Sequence, residues 1–255
     1  MTAPIAVIAE FADAIKLIFV PRESVSGGVQ IGGLGEFGLL AGNHLWLSLV
    51  SVVVAAAIAV PIGLYLGHIG KGEFLAVSVS NVGRAVPSLA LLAFFVVYLG
   101  IGFANVTAVL VLLAIPPILT NTYVGIRQVD RGTVDAARGQ GMTERQIVGR
   151  VEMPLALPLI FGGIRTSAVN VVATATIAPL ANVQTLGQPI VEPQTYGFPG
   201  QLSAAILVAL ITIAADVGLG AAQRAITPKG LKVAAQAARG RRFSLSPLKR
   251  REQPT

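Results

Sequence analysis

Asp135-Ala136-Ala137-Arg138-Gly139-Gln140-Gly141, followed ten residues later by Val151-Glu152-Met153-Pro154, is a short charged stretch set between long apolar runs. Residues 129–138 form a helix in this reading, with Asp130 near its N-terminal end, where a carboxylate suits the helix dipole. Gly141 supplies the left-handed or tight turn that ends it. Thr143 and Gln146 then stand at capping-box spacing for a second short helix through Arg150. The local reading is helix, glycine turn, helix. Ala136 and Ala137 present a low-relief surface that another protein can approach closely, and Arg138, Arg145 and Arg150 offer charge-assisted contacts at its edge. Such a segment suits a docking element on a protein otherwise embedded in a membrane.

The rest of the chain supplies that membrane setting. Of its 255 residues 54% are hydrophobic and 12% charged, with a mean hydropathy of +0.74, too apolar for one soluble domain. There is no cysteine, so neither disulfides nor thiolate metal sites hold the fold. Runs of about 20 apolar residues span the hydrocarbon core. Five qualify, roughly 45 to 67, 74 to 99, 104 to 126, 154 to 180 and 203 to 224. They are continuous rather than alternating, which favours helices over a β-barrel.

Charge asymmetry orients them. With five spans, Lys71, Arg127, Arg131, Arg138, Arg145, Arg150 and the tail from Arg224 to Arg251 all fall on one side, the cytoplasm, which leaves the N-terminus outside. The same segregation accounts for the net charge of +7, so no nucleic-acid partner is expected. Three regions follow. Residues 1–42 are an extracytoplasmic or interfacial segment, with a surface-lying helix over 3–20 and a flexible glycine connector at Gly27, Gly28, Gly32, Gly33 and Gly35; no cleaved signal peptide is read there. Residues 43–228 are the transmembrane domain, carrying the loop at 130–154. Residues 229–255 are a basic cytoplasmic tail, expected to be disordered near anionic lipid.

The docking stretch resembles the EAA loop of ABC-importer permeases, written E-A-A, three residues, Gly, nine residues, Ile-x-Leu-Pro. Asp135 stands for Glu, Ala136, Ala137 and Gly141 fall in place, and Val151, Met153 and Pro154 occupy the last three defined positions. Three further stretches, Gly83-Arg84-Ala85-Val86-Pro87-Ser88-Leu89-Ala90-Leu91, Ile115-Pro116-Pro117-Ile118-Leu119-Thr120-Asn121-Thr122 and Gly163-Ile164-Arg165-Thr166, look like permeases of osmoprotectant importers for glycine betaine, choline or carnitine. The similarity covers roughly residues 44 to 235.

The resemblance implies an all-α integral membrane fold, five core transmembrane helices with a cytoplasmic helix-turn-helix coupling loop, of the type I, methionine-permease-like kind. It implies a bacterial plasma-membrane protein, not itself an enzyme, that works with a dimer of ABC ATPase subunits, a second permease (same or homologous) and an extracytoplasmic substrate-binding protein. Asp135, Ala136, Ala137, Arg138, Gly141 and Pro154 become the ATPase-coupling residues. One departure bears on cargo: Ala181-Asn182-Val183-Gln184-Thr185-Leu186-Gly187 stands where such permeases run into a glycine-rich segment.

Candidate path residues come from depth and helix breaks. Arg84, Arg165 and Asp216 lie in or at the edges of spans, where ionisable groups mark a pathway or an interhelical pair unless they snorkel to an interface. Arg165 and Asp216 are a possible pair. Pro87 breaks the second span and Pro116 and Pro117 the third, and such breaks are tolerated where they face protein or a water-filled cavity. Gly63 and Gly67 allow a close helix approach, within the chain or between subunits. His44 and His68, at opposite ends of one span, are read as interfacial, and no metal site is expected.

Gly33-Leu34-Gly35-Glu36-Phe37-Gly38 matches a dinucleotide fingerprint only by letter and is read as linker. No G-x-x-x-x-G-K-[ST] segment occurs, so no cofactor is expected in this chain and ATP is assigned to a partner ATPase. A permease for methionine or another amino acid, and an ion-coupled secondary carrier, remain alternatives.

Overall fold

The computed structural model describes residues 3–72, 74, 78 and 86–227, so Arg84 and the tail at 229–255 lie outside the described residues. Helix α1 (Ala3–Phe19) leads through a hairpin of two-residue strands, β1 (Arg22–Glu23) and β2 (Gln30–Ile31), into α2 (Gly33–Ile69). Then come α3 (Ser88–Leu99), α4 (Phe103–Arg127), α5 (Arg131–Gly139) and α6 (Glu144–Ile147). A π turn (Val148–Glu152) joins α6 to α7 (Met153–Thr174), which ends in a 3₁₀ segment (Ala175–Ala181); α8 (Gln188–Val191) and α9 (Pro193–Ile226) follow.

Among the described residues four helical rods are long and apolar enough to cross a membrane, Gly33–Ile69, Phe103–Arg127, Glu144–Ala181 and Pro193–Ile226. Of the remaining expected span, 74 to 99, the described helix is the 12-residue α3.

The N-terminal region differs from the linker reading. Gly33 to Gly38 form the first turns of the 37-residue α2, not a connector. The Glu36 carboxylate accepts from the Gly32 N–H and from the Tyr196 hydroxyl, while Phe37 and Leu40 are buried against Leu17, Ile18 and Leu186. A first-turn carboxylate and two apolar anchors outweigh the poor helix propensity of the glycines. Gly27 and Gly28, at φ 81° and 76°, turn the hairpin, which is pinned to α9 by Val25 N–H donating to Thr195 O at 3.0 Å and Arg22 Nη2 to Tyr196 O at 3.2 Å. Helix α1 likewise packs in: Ala14 is fully buried and its carbonyl accepts from Ser203 Oγ at 2.7 Å.

The centre of the molecule is α2 against α4, packed through small residues. A Cβ on Gly63 would lie 2.7 Å from Thr122 Cβ, and one on Gly67 2.7 Å from Ile126 Cβ. The small-residue spacing in the first span therefore serves a contact within the chain. Ala55, Ala59, Ala114, Ala175 and Ala178, all fully buried, continue this close packing. Close backbone approach lets dispersion act between helices that lipid solvates as well as each other. Gly63→Ala should push α2 off α4 and cost about 1–3 kcal/mol, read as earlier thermal unfolding of the solubilised protein.

Tertiary contacts also gather the basic helix ends. Gln223 Nε2, near the end of α9, donates to Pro158 O near the start of α7 at 2.7 Å, and His68 at the end of α2 meets Glu152. Lys71, Arg127, Arg150 and Arg224 thus belong to one end of the bundle, that of α5 and α6.

Candidate functional site: the docking helices and the central cavity

Helix α5 is capped as its residues require. Asp130 is the N-cap, its Oδ2 accepting from Thr133 N–H at 2.8 Å and from Thr133 Oγ1 at 3.1 Å. Gly141 takes φ 81°, with its N–H on Arg138 O at 3.0 Å and the Met142 N–H on Ala137 O at 3.3 Å, a left-handed helix stop. Thr143 and Gln146 then form the reciprocal capping box of α6, with Thr143 N–H donating to Gln146 Oε1 at 2.9 Å. Val129, Val134, Ala137 and Ile147 close a small apolar core between the two helices.

That core changes the surface expected at the two alanines. Ala137 is 7% exposed and packs inward, whereas Ala136 is exposed. Together they line an open cavity of about 470 Å³ with Gly132, Met142 and Val151, Ala137 at its buried side. Asp135, 71% exposed, accepts from Arg138 Nη1 at 3.1 Å. Arg138 also makes a two-pronged contact with Glu144, Nε to Oε1 at 2.9 Å and Nη2 to Oε2 at 3.0 Å. This hydrogen bond holds the Glu144 carboxyl below its ordinary pKa and raises that of Arg138.

Pro154 is the second residue of α7. It lacks an N–H and crowds the carbonyl four residues back, and the chain answers with the π turn, in which Met153 N–H reaches Val148 O. Helix α6 therefore runs without a break into the long rod, instead of stopping at Arg150.

Two residues of this region make contacts that the sequence does not show. His68 places Nδ1 2.7 Å from Glu152 Oε2 and Nε2 3.2 Å from Glu144 Oε2. Glu152 is fully buried and occupies the unspecified position before Met153-Pro154. Toward the other end of α2, His44 is wholly buried, with Nε2 2.8 Å from Val172 O.

Further along the rods, a cavity of about 570 Å³ lies beside the proline pair. Val86, Ser88, Pro116, Pro117, Asn121 and Asn170 are among the residues around it. Without N–H groups, Pro116 and Pro117 leave the carbonyls of Leu112 and Leu113 without their usual helical donors, and Leu113 lines the cavity. Pro87 sits at the N-cap of α3 with extended backbone, and does not kink a described helix. Gly163 brings α7 onto this break, since a Cβ there would lie 2.8 Å from Pro117 O.

Arg165 and Asp216 are paired, Nε to Oδ1 and Nη2 to Oδ2 both at 2.6 Å, joining α7 to α9. The guanidinium lies over Gly220, whose missing side chain makes room for it. The pair is not among the residues lining the cavity.

At the opposite end of the bundle from the docking helices, Asn43, Trp46, Phe103, Asn182, Val183 and Gln184 line a cavity of about 560 Å³. Asn182 adopts φ 58° where the glycine-rich pattern departs, and asparagine tolerates that conformation. Gly187, by contrast, has no room for a side chain, a Cβ there falling 1.8 Å from Thr176 O.

Residues 59–230 match the family model described as binding-protein-dependent transport system inner membrane component. The glycine betaine/carnitine/choline transport system permease protein of Bacillus subtilis (strain 168) is 36% identical over 199 residues, 78% of this chain and 92% of that protein. A carnitine transport permease protein of Listeria monocytogenes is 37% identical over 193 residues, 75% and 88%. An osmoprotectant import permease protein of Salmonella typhimurium is 33% identical over 194 residues, 74% and 81%. In fold, the chain is similar to the MetNI methionine ABC transporter in an inward-facing conformation, with a TM-score of 0.66 at 22% identity over 76% of this chain and 98% of that one.

Proposed function

We propose a cargo and a working cycle for this chain, which belongs to the family of binding-protein-dependent transport system inner membrane components and is the permease subunit of an ABC importer. The cargo is a small quaternary ammonium osmoprotectant such as glycine betaine, choline or carnitine. What carries this is the likeness to relatives named for those compounds over most of their own length. The methionine and amino-acid transporters of similar fold are too distant in sequence to speak for cargo.

In this cycle the multi-pass chain sits in a bacterial inner membrane with its N-terminus outside. The docking end and the C-terminus face the cytoplasm, as basic helix ends are retained there. Two separate ATPase subunits bind ATP and close. Helices α5 and α6, seated in one of them, pass that closure through the unbroken α6–α7 rod to the spans. Asp135, Arg138, the Ala136 surface, Gly141 and Pro154 are the coupling residues. Substrate handed over by an extracytoplasmic binding protein then enters between this chain and a second permease.

The central cavity beside Pro116 and Pro117 is the part of the path this chain supplies. Among the described residues its polar lining is uncharged, from Ser88, Thr120, Asn121, Thr166, Asn170 and Thr174. A quaternary ammonium head has no hydrogen-bond donor, and tight capture uses aromatic faces. Aromatic residues are 6% of the chain, so selection is assigned to the binding protein and this cavity to weak passage. Asn170→Leu should lower uptake about threefold or more, the loss of one hydrogen-bonding group, with ATP hydrolysis retained.

The deciding experiment is uptake of labelled choline, glycine betaine and carnitine into proteoliposomes holding the permease, its ATPase and its binding protein. ATP-dependent uptake of at least one is the expected result. Uptake of methionine alone overturns the cargo, and ion-gradient-driven uptake by the purified chain alone overturns the ATPase coupling.

A further inference from the structure

Glu152 places a carboxylate in the fully buried joint between α6 and α7, and among the described residues its Oε1 has no hydrogen-bond partner. Its Oε2 meets His68 Nδ1 at 2.7 Å; the other ring nitrogen of His68 faces Glu144 at 3.2 Å, and Glu144 is held by Arg138, which holds Asp135. The two ring nitrogens of one imidazole at the end of α2 thus each face a carboxylate of the docking segment, the ring N–H donating to the carboxylate it faces. A buried carboxylate is costly without a partner, which makes this contact hard to give up during motion.

The surroundings show where such a tie acts. Glu152 ends the π turn, the one irregular joint in the rod between docking helix and span. Gly67, next to His68, lets α2 rest directly on Ile126 and on the Tyr123 carbonyl of α4. Helix α4 in turn carries Pro116 and Pro117 at the central cavity. Motion delivered to the docking helices thus has two ways inward, along α7 and, through His68, into α2 and α4.

We propose that His68 and Glu152 are positioning residues that tie α2 to the docking helices, so that both walls of the passage, and not α7 alone, move when the ATPase closes. This rests on the docking reading above.

The test uses the complete importer in proteoliposomes, with uptake per ATP hydrolysed as the readout. His68→Phe/Glu152→Leu removes both polar groups together and leaves no orphan charge, while Glu152→Gln keeps a hydrogen-bonding group beside the imidazole. The expected result is a coupling ratio lowered about fivefold or more in the double variant, the scale of losing coupled contacts, and near wild type in Glu152→Gln. A double variant that couples normally overturns the proposal. The docking reading fails separately: normal coupling in Gly141→Val sinks that reading, whereas uncoupling by Gly141→Val alone sinks only the tie.

A second measurement does not depend on how these variants fold. The chain has no cysteine, so Lys71→Cys and Arg145→Cys accept a pair of spin labels at exposed positions on α2's end and on α6. Their separation should stay the same with and without ATP. A change of about 5 Å, one helical turn, overturns the tie.

Discussion

Gly141→Val should abolish ATP-driven uptake while leaving the protein inserted in the membrane. The φ of 81° is one that valine adopts only with strain, and its branched Cβ makes it a worse guest than other residues. Among the described residues, the adjoining ones aside, no atom lies within 4 Å of where a Cβ would stand, so backbone conformation and not crowding of the Cβ sets the effect. The variant leaves the left-handed turn, and the hydrogen bonds of Gly141 and Met142 that close α5 go with it. Helix α6 then no longer sits against Val134 and Ala137, and the docking surface loses its shape. Strain of about 1–3 kcal/mol at one turn is small beside the spans, so insertion survives. Coupled uptake should fall by about thirtyfold or more, against about threefold for Gly141→Asn, since asparagine tolerates the left-handed region. Uptake per ATP hydrolysed in proteoliposomes checks both values, and normal coupling in the valine variant removes the basis for docking through this turn.

The features legible in the chain were those with local causes. Capping at Asp130, Thr143 and Gln146 and the stop at Gly141 depend on neighbours three or four residues away, and each is formed as its residue type requires. Long apolar rods follow from composition alone. The start of α2 is hidden in the sequence because its glycines outvote a single Glu36, whose partners Gly32 and Tyr196 come together only in the fold. The inward face of Ala137 is not legible because small size does not say which way a residue faces; its partners Val134 and Ile147 do. His68 and Glu152 are 84 positions apart, and a lone histidine at a helix end carries no mark of the carboxylate that will meet it. The Arg165–Asp216 pair was readable as a possibility, since membrane depth makes any charge seek a partner, but not as a contact.

Asp216→Ala should cost the importer most of its assembled, active population. Arg165 lies about 18 Å along α7 from its start, at about 1.5 Å per residue, far from either end of the span. Removing the carboxylate leaves a guanidinium that cannot lose its proton and has no second carboxylate beside it among the described residues. The two groups are 37% and 40% exposed in the isolated chain, so in the assembly the surroundings of the pair depend on what lies beside it, lipid or a second permease. Against lipid, the lone arginine must drag in water or reach for an interface, and α7 and α9 lose their fixed spacing over Gly220.

The double variant Arg165→Leu/Asp216→Leu separates two roles. If the pair only holds α7 to α9, two apolar side chains restore assembly and uptake together, since a paired charge is replaceable by apolar packing. If it also serves the passage, assembly returns without uptake. The single variant should retain less than about a tenth of wild-type uptake, a loss on the scale of breaking one charged pair that acts as a unit. Full uptake by Asp216→Ala would mean that the guanidinium already has another partner in the membrane, and that the pair fixes neither helix.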